Sequence, residues 1–229
     1  MASETLSTAP VLYIGPVGLT DTVLTTWVIM LVLWAVCWVS TRRLELEPSA
    51  WQVTLEGIVS AIEDAIDAVL PDYGARVLPL VATLWVFIVL ANLAGVVPGV
   101  RSPTDDLSLT AGLAIVVFLS VHWYGIRIHG LRQYLRHYLE PNPILLPFHV
   151  ASEISRTIAL AVRLFGNIFS LEMAALLVLL VAGFLVPVPL LLLHIVEALV
   201  QAYIFGMLAL IYIAGGIQAL EPKSKKSKE

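Results

Sequence analysis

The chain alternates between long runs free of Asp, Glu, Lys and Arg and short stretches where those residues collect. A membrane-crossing helix takes about 20 mainly apolar residues. Five runs reach that length: Thr22 to Thr41 (20 residues), Val77 to Val100 (24), Leu107 to Ile126 (20), Met173 to Val196 (24) and Ala198 to Leu220 (23). Only Glu197 separates the last two, so they need a turn of their own. Val186-Pro187-Val188-Pro189 supplies it, because closely spaced prolines end one helix and begin the next.

The stretch Ala50–Leu70 reads differently. Glu56, Glu63, Asp64 and Asp67 interrupt it, while Leu55, Ile58, Val59, Ile62, Ile66, Val69 and Leu70 recur at helical spacing. The pattern fits an amphipathic helix lying on the membrane surface, and equally a solvated helix packed on its neighbours. Pro48 precedes it and Pro71-Asp72-Tyr73-Gly74 ends it. The predicted fold is an all-α membrane protein with five transmembrane helices and one amphipathic surface helix. It forms a single polytopic domain over 1–229: spans at 22–41, 77–98 and 107–126, the surface helix at 50–70, a long hairpin of 144–185 and 189–220, and a disordered tail at 222–229.

Composition agrees. The 229 residues are 59% hydrophobic and 13% charged, with a mean hydropathy of +0.91. Soluble domains average about 45–50% apolar and about 25% charged residues, so a free-standing soluble domain is excluded. Cys37 is the one cysteine, which rules out an internal disulfide and a thiolate metal cluster. The basic residues cluster: Arg42 and Arg43 after the first span, Arg127, Arg132 and Arg136 after the third, and Lys223, Lys225, Lys226 and Lys228 after the last. Five crossings put all three clusters on one face, so the N-terminus is expected outside and the C-terminus in the cytoplasm. Arg101 is among the few basic residues of the other face. No basic n-region precedes the first span, which reads as a retained helix. No metal, cofactor or nucleic-acid partner is expected.

Ionisable groups inside apolar windows carry the chemistry, since each costs about 2.5–3.5 kcal/mol at a helix centre on insertion scales. They are densest in HVASEISRTIALAVRLFGNIFSLE, His149 to Glu172. On a helix, His149, Glu153, Arg156, Leu160, Arg163, Asn167 and Ser170 make one stripe. Arg156 can pair with Glu153 at i, i+3. Arg163 has no such option: Glu153 lies ten residues away and Glu172 nine, on the opposite face. A guanidinium keeps its proton, so Arg163 points to a carboxylate on another chain or on another helix of this one. A second stripe, His194, Glu197 and Gln201, lies in the last helix. Glu172 and His194 fall in the outer half of the membrane, where a Glu and a His can relay protons; alternatively His194 is a core imidazole satisfied by a backbone carbonyl. His122, alone on its helix, reads as structural.

Arg163-Leu164-Phe165-Gly166-Asn167-Ile168-Phe169 followed by Glu172 resembles the signature of the a subunit of F-type ATP synthases. Val200-Gln201-Ala202-Tyr203-Ile204-Phe205 resembles that family's second signature, and Leu84-Trp85-Val86-Phe87 with Asn92 and Pro98 is similar too. The resemblance covers nearly all of the chain after about Thr20. It implies an ion-translocating stator subunit of a rotary ATP synthase in the bacterial inner membrane. Its partners would be the c-ring of the rotor, b-type peripheral stalk subunits and the lipid bilayer. Arg163 would face the c-ring, Glu172 and His194 would line the outer half-channel, and Gln201, Asn167 and Glu197 would belong to the same ion-translocating set. Members often carry a Glu fourteen residues before the Arg, at the inner half-channel; here His149 stands there and Glu153 follows one turn on. Acidic residues often found in the third segment's loop are absent, with Ala94-Gly95 in that region.

The physical logic is compatible. A rotor carboxylate must be ionised opposite a fixed cation and neutral in lipid, and two aqueous half-channels must never join. No GxxxxGK[ST] loop is present, so the chain is not expected to bind or hydrolyse ATP and carries no catalytic site of its own. The alternatives are a secondary ion-coupled transporter, which would show repeats and broken helices, and an intramembrane metalloprotease, of whose motif His194-x-x-Glu197 is only a fragment. Proton and sodium are not distinguished by these residues.

Overall fold

A computed structural model of the chain describes residues 12–14, 17–42, 49–97, 100, 102–134, 146–182 and 188–218. The expected tail at 222–229, the start of the Val186–Pro189 turn, and Arg43, Arg101 and Arg136 lie outside those residues. So do Pro48 and Pro98, and the side chain of Glu172.

The fold is helical, as the hydrophobic pattern requires, with one short antiparallel pair ahead of the first helix that the pattern did not reveal. Its strands are β1 (Leu12–Ile14) and β2 (Val17–Leu19), in the register Leu12↔Leu19 and Ile14↔Val17. The helices are α1 (Asp21–Thr41), α2 (Ala50–Asp67), α3 (Gly74–Ala94), α4 (Leu107–His129), α5 (Leu146–Ala182) and α6 (Val188–Gln218). All but α2 are long and apolar enough to cross a membrane. A turn of 3₁₀ helix, Pro103–Asp105, leads into α4. The Asp106 carboxylate caps α4 by accepting from the Ser108 amide at 2.8 Å. Gly130 ends it with φ +84, a left-handed conformation that glycine adopts without a Cβ penalty.

Helix α2 is packed toward its C-terminal end and exposed toward its N-terminal end. Ile62, Ile66 and, just past it, Leu70 are buried against Val77 and Val81 of α3 and Leu210, Ile213 and Ile217 of α6. Trp51, Val53, Ile58 and Val59 remain exposed, an apolar surface that suits lipid rather than water. Helices α3 to α6 form the packed bundle, and α1 flanks it with no buried residue. The 37 residues of α5 extend to about 55 Å, against a hydrocarbon core of about 30 Å, so this helix cannot stand upright within the core.

Candidate functional site

Two contacts between α5 and α6 set the register of the hairpin. The Asn167 amide donates to Gln201 Oε1 at 2.8 Å, and the Arg156 guanidinium lies over the Tyr212 ring at 4.1 Å. Both fit one antiparallel alignment. It places Glu153 level with Gly215, Arg163 level with Phe205, and the backbone of Glu172 level with Val196 and Glu197. Arg163 thus sits between two polar regions, each about 15 Å away along the helix axis.

Leu160 and Leu164 anchor this part of α5 in the core at 2% and 0% exposure. Arg163 and Val162 point the other way and are exposed. Among the described residues no carboxylate, hydrogen-bond acceptor or ring is paired with Arg163. The polar stripe is therefore not one surface: Arg163 faces outward, Leu160 is buried, and Asn167 turns to α6.

Toward the Pro103–Asp105 end lies a buried polar network. The Asn92 amide donates to the Ala198 carbonyl at 3.3 Å, and its oxygen accepts from the Thr104 hydroxyl at 2.7 Å. The Ser102 hydroxyl lies 2.7 Å from that of Thr104 and 2.9 Å from the Ala91 carbonyl, and its one hydrogen serves one of the two. His194 and Gln201 are buried beside this network, with the His194 ring against Gly95. His194 Nε2 is buried and has no hydrogen-bond partner among the described residues, so no carbonyl satisfies that nitrogen. Glu197 is half-buried on the same helix and makes no ion pair with His194. Asn92, Ser102 and Thr104 were missed as members of this site; their signal was polarity inside or beside apolar windows. Replacing Gln201 by Leu is expected to cost about 1 kcal/mol, because the Asn167 N–H loses its partner. The Asn167→Leu, Gln201→Leu double variant should lose less than the two single losses combined. Thermal unfolding of the purified complex checks this.

The opposite end holds a cleft of about 180 Å³ between α4, α5, α6 and the turn that carries Tyr134, room for several waters. His149, Glu153 and Arg156 line it, as do His122 and Tyr212. Two expectations are corrected here. Glu153 does not pair with Arg156: its carboxylate faces His122 Nε2 at 3.4 Å, and Arg156 stacks on Tyr212 instead. His122 is not a lone structural imidazole, since α4 brings it to α5. Spacing within one helix could not reveal a partner on the next. The available signal was depth: His122 and Glu153 each lie seven residues from the same-side end of their helices.

Five helices long and apolar enough to cross a membrane, with the exposed Arg163 cation between two polar regions, define a multi-pass membrane protein. The pattern of the ATP synthase A chain family matches residues 23–214, and the chain belongs to that family. It is 62% identical over 213 residues to "ATP synthase subunit a" of Legionella pneumophila, covering 93% of each chain. It is 60% identical over 223 residues to "ATP synthase subunit a 2" of Pelobacter propionicus, covering 97% of this chain and 98% of that one. At 39% identity it matches "ATP synthase subunit a" of Moorella thermoacetica over 204 residues, 89% of this chain and 94% of that one.

Proposed function

We propose that the chain is the ion-translocating stator subunit of a rotary ATP synthase, working as one membrane domain. Arg163 faces the carboxylates of the rotor c-ring. His194, Gln201, Asn167, Glu172 and Glu197 serve the outer half-channel; Glu153 and His149 serve the inner one. The N-terminus lies outside and the C-terminus in the cytoplasm, on the side of Arg42, Arg127 and Arg132. The exposed flank of α1 is offered to the b-type stalk subunits.

The observation that carries this reading is Arg163 itself. A permanent charge, exposed on an apolar helix and unpaired among the described residues, needs an acid from another chain. Membership of the ATP synthase A chain family supports the same partner and sets the transporter alternative aside. Moving one unit charge through 100 mV releases about 2.3 kcal/mol, so several ions must pass for each ATP-sized free energy. A cation fixed between two separate half-channels blocks a straight leak and attracts each incoming carboxylate.

Cross-linking tests the contact. In a Cys37→Ser background, Val162→Cys is expected to join a cysteine placed near the rotor acid, because Val162 is exposed next to Arg163. Leu160→Cys, buried, should not. Equal yields from the two positions would refute the assignment.

A further inference from the structure

The cleft at the inner end sets His122, which the proposed half-channel leaves out, beside Glu153, which it includes. His122 and Glu153 approach to 3.4 Å across the α4–α5 interface, and their side chains keep 29% and 21% exposure. The other His122 nitrogen decides what this contact is. Nδ1 lies 2.8 Å from the Phe118 carbonyl, and a carbonyl only accepts, so Nδ1 carries a hydrogen. A neutral imidazole with Nδ1–H would turn a bare Nε2 lone pair toward the carboxylate. That contact is favourable only with a proton between them, either as imidazolium and carboxylate or as imidazole and carboxylic acid.

We infer that His122 and Glu153 act together as the proton-binding station of the inner half-channel, the pair taking up and releasing one proton. The inference rests on the stator reading and adds the identity of the ion at this station. In the uptake step a hydronium in the cleft gives its proton to the pair and becomes water. In the release step that proton passes to a rotor carboxylate, through cleft water below Arg163, and the pair returns to its deprotonated form. Both steps are reversible.

The surroundings suit the task. The cleft has room for the waters that carry the proton, since its volume is about 180 Å³. Phe118 packs on the His122 ring at 4.4 Å and Tyr134 at 6.0 Å, which holds the imidazole against Glu153. Among the described residues, the other charged and titratable groups on the cleft wall are His149 and Arg156 of α5, Tyr212 of α6 and Tyr134.

The test uses the whole ATP synthase in membrane vesicles, with passive ion flux and ATP-driven uptake followed as a function of pH. His122→Gln removes the imidazole and leaves the carboxylate, so flux at pH 7.5 should fall about a hundredfold. Glu153→Gln removes the carboxylate that faces the imidazole, so flux at pH 7.5 should fall by a similar factor. The double variant should be no worse than the more impaired single variant. Should a variant not assemble, Glu153→Asp is read instead; a shifted pH midpoint of flux supports the pair and an unchanged one overturns it. Arg163→Ala separates the two levels. If it transports normally, the stator reading fails. If it is blocked while His122→Gln and Glu153→Gln keep the parental rate and pH profile, only the pair is refuted. Flux that follows sodium and ignores pH refutes the pair as well.

Discussion

Arg163→Ala is expected to abolish ATP-driven ion uptake while the chain still inserts and assembles. Insertion survives because Arg163 holds nothing together: it is exposed and pairs with no described residue, and substitutions away from packed or paired features shift stability by about 0.5 kcal/mol or less. Transport fails because the rotor acid, ionised at the interface, loses its counter-charge. Two unit charges 4 Å apart attract by about 4 kcal/mol at an effective dielectric constant near 20. Losing that stabilisation at the crossing step slows it by about a thousandfold. Arg163→Lys should not rescue, because a buried ammonium can give up its proton where a guanidinium cannot. Fluorescence quenching by a pH dye or a sodium indicator in inverted vesicles measures the uptake. Parental uptake in Arg163→Ala would remove the basis for the stator assignment.

Charge-free windows located the crossings because lipid forbids charge over a length that the sequence shows directly. The five long helices follow from that, and so does the absence of α2 from their number. Helix ends shifted where the helix runs on past its apolar window. Helix α3 begins at Gly74, earlier than its apolar window, and takes Arg76 into its first turn, while α4 runs on through Arg127 to His129. Neither extension disturbs an apolar pattern, so neither is visible in one.

The site was legible in part. Spacing along one helix suggests a shared face, yet the stripe through Arg163 divides, with Leu160 buried and Asn167 turned to α6. Contacts across helices depend on rotation and depth, which spacing does not encode. So Asn167 with Gln201, Asn92 with Thr104, and His122 with Glu153 emerge only when the helices are packed. Arg156 shows the opposite error. Its helical spacing from Glu153 permits a pair, yet the Tyr212 ring and the His122 imidazole draw the two charges apart.

Gly206→Ala is expected to cost the complex heavily by a structural route. A Cβ at Gly206 would land on the Trp85 indole. That indole is 6% exposed, donates Nε1–H to the Tyr203 carbonyl at 3.3 Å and stacks on the Tyr203 ring at 6.0 Å. Nothing flexible is available to yield, because the clashing atoms belong to a rigid ring clamped between α3 and α6. Overpacking of this kind costs about 1–3 kcal/mol, and an indole N–H pushed off its acceptor adds about 1–3 kcal/mol. The loss spreads toward the proposed outer half-channel, since the Asn92 bond to the Ala198 carbonyl crosses the same α3–α6 interface. Gly206→Ala should therefore lower both the amount of assembled complex and its unfolding temperature. Gly112→Ala, where a Cβ meets nothing within 4 Å, should leave both unchanged. Trimming the ring in a Trp85→Leu, Gly206→Ala double variant should recover part of the loss, because the added methyl then occupies vacated space. Recovery confined to assembly, with uptake still impaired, would locate the remaining defect in the Tyr203 and Ala198 contacts rather than in the clash. An unfolding temperature for Gly206→Ala equal to that of the parent would rule out this packing of α3 against α6.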